Sequence, residues 1–313
     1  MDHVPVVDVR AFTQGSANEQ AAFVRRFGDA LESLGFVTLD HHGIDPALVQ
    51  RAFDETRALF ALPEAEKLRC VVPESAGNRG YVAFGRERAV GAKVSDLKEF
   101  WHVGQEDLPE THREVYQANV WPDAPATAGF RPAALDLYRA LEGTALSMLV
   151  AVARHLNAPD DWFASMARQG NSVLRLIHYP PVPDDAPAGA VRAAAHEDIN
   201  LVTLLVESTS GGLELQTRDG RWIPVHALHG QIVLDAGDML QRCTNGRIPS
   251  TTHRVVNPRG PNVERYSMPF FTHPRPDCLL APVAGTVTAD RPALAPPITA
   301  HDFLTERLRA ITA

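Results

Sequence analysis

The stretch Val173-Leu174-Arg175-Leu176-Ile177-His178-Tyr179, closed by Pro180-Pro181, decides the fold, because the spacing of apolar residues changes character there. Downstream, the apolar runs are short, strand-like and separated by turn residues, the pattern of a β-sandwich or barrel. Strands are predicted at Val173–Tyr179, Leu201–Val206, Leu213–Gln216, Trp222–Pro224, Gln231–Asp235, Ser250–Val256 and Glu264–Thr272. Gly211-Gly212, Asp219-Gly220, Gly237-Asp238, Asn245-Gly246 and Pro258-Arg259-Gly260 supply the turns between them. Upstream, Ala22, Phe23, Phe27, Ala30, Leu31 and Leu34 form one stripe of a helix over Asn18–Leu34, which Gly35 ends. Val4–Val9 and Phe36–Leu39 read as strands, Pro46–Leu62 and Pro132–Leu156 as further helices, and Thr299–Ile311 as an amphipathic C-terminal helix. The order implies a mainly β protein with an α-helical N-terminal layer rather than alternating βαβ units.

Composition narrows the function classes. The 313 residues are 45% hydrophobic and 22% charged, enough apolar surface for a sizeable core. Acidic residues outnumber basic ones, 38 to 30, for a net charge of -8, so no broad basic field invites nucleic acid. No apolar window approaches the roughly 20 residues that cross a bilayer. Met1-Asp2-His3-Val4-Pro5 has no basic segment before a long apolar run, so a cytoplasmic location is expected. Cys70, Cys243 and Cys278 are odd in number and far apart, against a disulfide framework or a zinc ribbon.

Most of the 13 histidines lack partner spacing. His196 and Asp198 differ: two residues apart at the start of a predicted strand, they are expected on one face, with Glu197 pointing away. His253 lies downstream in the β-branched run Ser250–Val256. Two imidazoles and a carboxylate occupy one face of an octahedron and leave the rest open, the arrangement associated with non-haem Fe(II) oxygenases. A structural zinc would call for four ligands, and the cysteines lack the spacing. Arg265 and Ser267 share a strand face by the same two-residue period. A guanidinium projecting into a β core needs an anion, either a carboxylate of the fold or the bidentate carboxylate of a ligand. Asn200 shares the phase of Asp198 and is expected either to hydrogen-bond behind the ligands or to touch substrate.

Taken in order, His196-x-Asp198, His253 and Arg265-x-Ser267 resemble the isopenicillin N synthase-like branch of the Fe(II)- and 2-oxoglutarate-dependent dioxygenases. Val4–Asp8 and Gly35–Ile44 are similar to that family's N-terminal region, Arg175–Pro181 to its pre-metal strand, and Gly237–Leu240 to the turn before its distal histidine. The resemblance implies an N-terminal region over residues 1–120 and a double-stranded β-helix, or jelly roll, over 121–313, the two forming one compact unit. It implies Fe(II) on His196, Asp198 and His253, and 2-oxoglutarate on Arg265 and Ser267 with help from Tyr179. Ile177 stands where related plant enzymes commonly carry asparagine. With O2 as the other co-substrate, the implied reaction hydroxylates or desaturates a small molecule and releases succinate and CO2. Two alternatives keep the same residues: an oxidase working without 2-oxoglutarate, and a non-catalytic metal-binding jelly roll. Tyr81, Arg86, Arg88, Phe100, Trp101 and Phe271 are candidates, with Asn200, for lining the substrate pocket. The arginines would suit a carboxylated substrate and the aromatics a flat or terpenoid one.

Overall fold

Local signals set the helices. Ser16 accepts from the Glu19 backbone N–H at 3.4 Å while the Glu19 carboxylate takes the Ser16 N–H at 2.7 Å, a reciprocal cap that starts a helix. Gly35 ends it in the left-handed region at φ 67°, which costs glycine little. In the computed structural model, residues 3–75, 77–89, 93–108, 116–206, 208–226 and 228–312 are described. Helices α1 (Arg10–Thr13), α2 (Ala17–Leu34), α3 (Pro46–Phe60), α4 (Glu64–Leu68), α5 (Phe130–His155), α6 (Trp162–Ala167), α7 (Asp238–Cys243) and α8 (Ala300–Thr312) follow in order. No helix among these residues is long and apolar enough to cross a membrane.

The strands are β1 (Val6–Asp8), β2 (Phe36–Asp40), β3 (Gly80–Val82), β4 (Glu99–Gly104), β5 (Val173–Tyr179), β6 (Ala193–His196), β7 (Val202–Val206), β8 (Leu213–Gln216), β9 (Trp222–Pro224), β10 (Ile232–Ala236), β11 (His253–Val255) and β12 (Arg265–Thr272). Eight form one sheet in the order β1-β2-β10-β7-β12-β5-β4-β3, which draws strands from both halves of the chain. A second sheet has the order β6-β11-β8-β9. Leu279–Leu280 and Ile298–Thr299 make a small separate ribbon.

The two-residue period of the large sheet separates two environments. Val37, Leu39, Leu174, Leu176, Leu204, Leu234, Met268 and Phe270 point to one face and form a single core with α2, α3 and α5. Their neighbours point to the other face, where Phe36 and Val233 pack with Leu215 and Ile223 of the small sheet. The sheet is thus covered by helices on one side and by the small sheet on the other.

Three expectations shift. The strand expected over Ser250–Val256 contracts to His253–Val255. Gly237-Asp238, read as a turn, opens α7, because Gly237 is extended and the chain coils directly after it. β4, Glu-Phe-Trp-His-Val-Gly, lies outside the predicted strands: all six residues are buried, so no polar alternation marks it in the sequence.

Gly28 sits where α2 meets α5, and a Cβ there would lie 2.0 Å from the Nδ1 of His155, whose Nε2 is 2.6 Å from Glu32. Gly28→Ala must displace that ring, and we expect it to destabilise the fold by about 1–3 kcal/mol, read as a lower midpoint in urea unfolding at unchanged slope.

Candidate metal and co-substrate site

β6 ends at His196, and Asp198 lies beyond it in the link to β7. The shared strand phase expected for the two residues is therefore corrected: the chain leaves the sheet between them, and the bend turns the carboxylate back toward the imidazole. β11 begins at His253, the cross-strand partner of His196, and the two ring centroids are 4.4 Å apart. Oδ1 of Asp198 is 3.7 Å from Nε2 of His196 and 3.8 Å from Nε2 of His253. One ligand atom from each residue lies within 4.8 Å of the other two.

The outer contacts aim these atoms. Nδ1 of His196 is 2.7 Å from the Ala194 carbonyl, and Nδ1 of His253 is 3.1 Å from that of Thr251. A carbonyl only accepts, so each Nδ1 donates and each ring turns its Nε2 inward. Oδ2 of Asp198 accepts from the Thr203 hydroxyl, which accepts in turn from the Asn200 amide at 2.8 Å. That leaves Oδ1 facing both imidazoles. Burial, then the neighbouring His253, push His196 down to about 4, so it is neutral near pH 7. Burial opposes ionisation of Asp198, but His253 and His196 outweigh it and hold the carboxyl below its usual range. Glu197 turns outward, accepting from the Thr252 hydroxyl at 3.0 Å and meeting Arg307 of α8 at 3.7 Å.

Arg265 and Tyr179 are cross-strand partners on β12 and β5, and Ser267 lies two residues along the same face. All three are buried. The Arg265 Nε donates to the Ser210 carbonyl at 3.0 Å, its guanidinium carbon lies 4.9 Å from the Tyr179 ring centre, and its buried Nη1 has no hydrogen-bond partner among the described residues. Arg192, just before β6, is equally buried; it donates to the Val263 carbonyl while its Nε has no partner among the described residues. Burial and the proximity of Arg265 weaken its hold on its proton. Among the described residues neither arginine has an ion pair, so none of them supplies the internal salt bridge left open for Arg265. Two buried cations with open donors match a carboxylate from outside the chain. Arg192 is absent from the sequence-based candidates, although Arg192-x-Ala194-x-His196 carries the two-residue spacing that points to it.

The pocket candidates divide. Phe100 and Phe271 face the same side as Arg265 and flank Arg175, whose guanidinium carbon lies 4.2 and 5.2 Å from their rings. Trp101 and Tyr81 are corrected: both belong to the core on the helical side of the sheet. Trp101 packs edge-on against Phe130 at 5.7 Å, and the Tyr81 hydroxyl donates to Glu99, which also holds Lys67. Alternation forces this, since Trp101 neighbours Phe100. Arg86 and Arg88 are exposed, while Glu87 between them turns inward to Arg175 and Lys98. Asn200 spends its amide on Thr203, behind Asp198.

Comparison with known proteins agrees with this geometry. Residues 4–124 match the family model for the non-haem dioxygenase N-terminal region, and residues 170–274 match that of the 2OG-Fe(II) oxygenase superfamily. The chain is 34% identical to the proline hydroxylase buaE of Petromyces alliaceus, over 92% of both chains. A 2OG-Fe(II) oxygenase family protein from Caulobacter crescentus superposes with a TM-score of 0.89 at 41% identity, over 99% of this chain and 100% of that one. A full-length Neurospora crassa protein, solved in complex with alpha-KG and thymine, gives 0.88 at 27% identity, over 98% and 96%. With both family regions matched in order and relatives alike over nearly their whole length, the chain belongs to the 2OG-Fe(II) oxygenase superfamily.

Proposed function

We propose that His196, Asp198 and His253 hold the Fe(II) of this oxygenase, and that Arg265, with Ser267, Tyr179 and Arg192, takes the far carboxylate of its 2-oxoglutarate. The observation that carries the reading is the pairing of His253 with His196 across β11 and β6, with one oxygen of Asp198 facing both imidazoles. The donor set suits ferrous iron: two imidazole nitrogens and one carboxylate, with no cysteine, leave coordination positions for small molecules. The unpartnered Nη1 of Arg265 suits the carboxylate. We read the two sheets as the faces of a jelly roll, with the N-terminal strands completing the larger one.

Bound there, iron and 2-oxoglutarate supply the activation of O2 that hydroxylates or desaturates a small molecule, with succinate and CO2 released. The chain's own work is orientation. Thr203 and Asn200 fix which oxygen Asp198 presents, and the Ala194 and Thr251 carbonyls fix both imidazoles. Phe36 lies edge-on to His253 at 5.7 Å and screens that ligand from water. No side chain needs to carry a proton in the reaction. The relatives' ligands support a compact organic substrate.

Replacing His196, Asp198 or His253 by alanine is expected to abolish tight iron binding, measured as bound iron per chain, with the far-ultraviolet circular dichroism unchanged. Arg265→Ala is expected to raise the 2-oxoglutarate concentration for half-saturation by roughly 30-fold or more, since losing one side of a buried charged pair costs about 2–5 kcal/mol. Anaerobic titration of the Fe(II) protein with 2-oxoglutarate should produce the visible charge-transfer band of the chelate; no band in wild type would refute the assignment.

Acid should destabilise the metal-free protein. Burial pushes His273 as well as His196 down to about 4 from an ordinary 6.5, so between those values the unfolded chain binds the protons. Stability from keeping them neutral is full above pH 6.5 and is lost as pH falls toward 4. Burial pushes His42 and His102 down as well, whereas Asp235, Asp238 and Glu142, which burial raises, work in the opposite sense as three groups against four. The expected result is a melting temperature that falls from about pH 7 to about pH 4.5 in the presence of chelator.

A further inference from the structure

The two ends of the site treat their cations differently. At the co-substrate end, Arg192 and Arg265 are buried without a carboxylate among the described residues. At the other end, half-buried Arg175 and buried Lys98 have their carboxylates supplied. Lys98 lies 2.7 Å from Glu87 and 2.8 Å from Asp96. Arg175 meets Glu87 through both terminal nitrogens, at 3.1 and 3.2 Å, and its Nε donates to Nε2 of His102 at 2.6 Å. His102 is neutral, because burial and then Arg175 push it well below its ordinary range. The group adds up to two positive and two negative charges.

This balanced group borders the metal ligands. Asp96 accepts from the backbone of Ala194, two residues before His196. Arg175 stands on the same strand face as Ile177 and Tyr179, opposite His102 of β4, so it looks into the space between the sheets. Phe100 and Phe271 lie against its guanidinium and offer flat apolar walls. Some of the five guanidinium N–H groups remain free of Glu87 and His102, as donors for a neutral oxygen.

Resting on the function proposed above, we infer that the substrate is a compact, uncharged molecule with a flat face and a carbonyl-type acceptor, and that Glu87 sets this preference by filling the place between Arg175 and Lys98 that a substrate carboxylate would take. An anionic substrate would have to expel Glu87 or lie beside it, and like charges at a partly buried site repel. Where the fold receives an anion it leaves cations open; here it closes them with its own side chain.

The test uses the full chain loaded with Fe(II) and 2-oxoglutarate under argon, probed with matched neutral and acidic molecules: thymine and uracil-5-carboxylate, nicotinamide and nicotinate, benzamide and benzoate. Binding is read as perturbation of the charge-transfer band, and turnover as succinate formed once air is admitted. In wild type a neutral member is expected to respond at a concentration at least tenfold lower than its acid. Glu87→Gln should shift that ratio at least tenfold toward the acid, and Glu87→Asp should keep the wild-type order. An acid binding as well as its neutral partner in wild type, a panel in which no neutral member responds, or an unchanged ratio in Glu87→Gln would each overturn the inference. Absence of the 2-oxoglutarate band before any probe is added would instead overturn the proposed function.

Discussion

The centre of the molecule depends on the antiparallel pairing of β11 with β6. A hydrogen-bonded ladder fixes strand separation and register far more tightly than loop contacts could. It places His253 directly opposite His196, residues remote along the chain, with rings 4.4 Å apart. Asp198 reaches the same point only because the chain bends away from the ladder after His196. Its free oxygen is chosen by Thr203 at the start of the next strand. Geometry suited to a metal thus arises from one ladder and one bend, each held by backbone groups that would be buried in any case.

Electrostatics divides the rest of the interior. Burial alone would discharge every ionisable group along the inner face of the large sheet, and the chain answers in two ways. Arg192 and Arg265 keep their donors open, whereas Lys98 and Arg175 are neutralised by Asp96 and Glu87. The same residue types therefore keep open donors in one place and are neutralised in the other. Asp235, the cross-strand partner of Thr203, takes a third course: burial and then the charge of Asp198 push its carboxyl well above the usual range.

Much of this is legible in the order of residues. β5, β8 and β9 fall where period and turn chemistry put them, and Gly35 ends its helix as expected. The three ligand candidates and Arg265 are visible because short polar motifs stand out against β-branched runs. Other features are hidden for physical reasons. β4 is buried on both faces, so it lacks alternation, and Trp101 reads as a pocket residue when only its neighbours Phe100 and His102 face inward. Glu87 is obscured between two arginines whose exposed heads carry the more conspicuous charge. Arg192 shares the two-residue spacing of His196, but what sets it apart, a buried guanidinium with no ion pair among the described residues, appears only in three dimensions.

The alternation of β4, β5 and β12 has an evolutionary corollary. Phe100, His102, Arg175 and Phe271 can be exchanged without disturbing Trp101, Leu174, Leu176 or Phe270, which bear on the helices from the reverse side of the same strands. Descendants of such a chain can drift in what they accept while inheriting an intact scaffold, so kinship in overall shape constrains their diet only loosely.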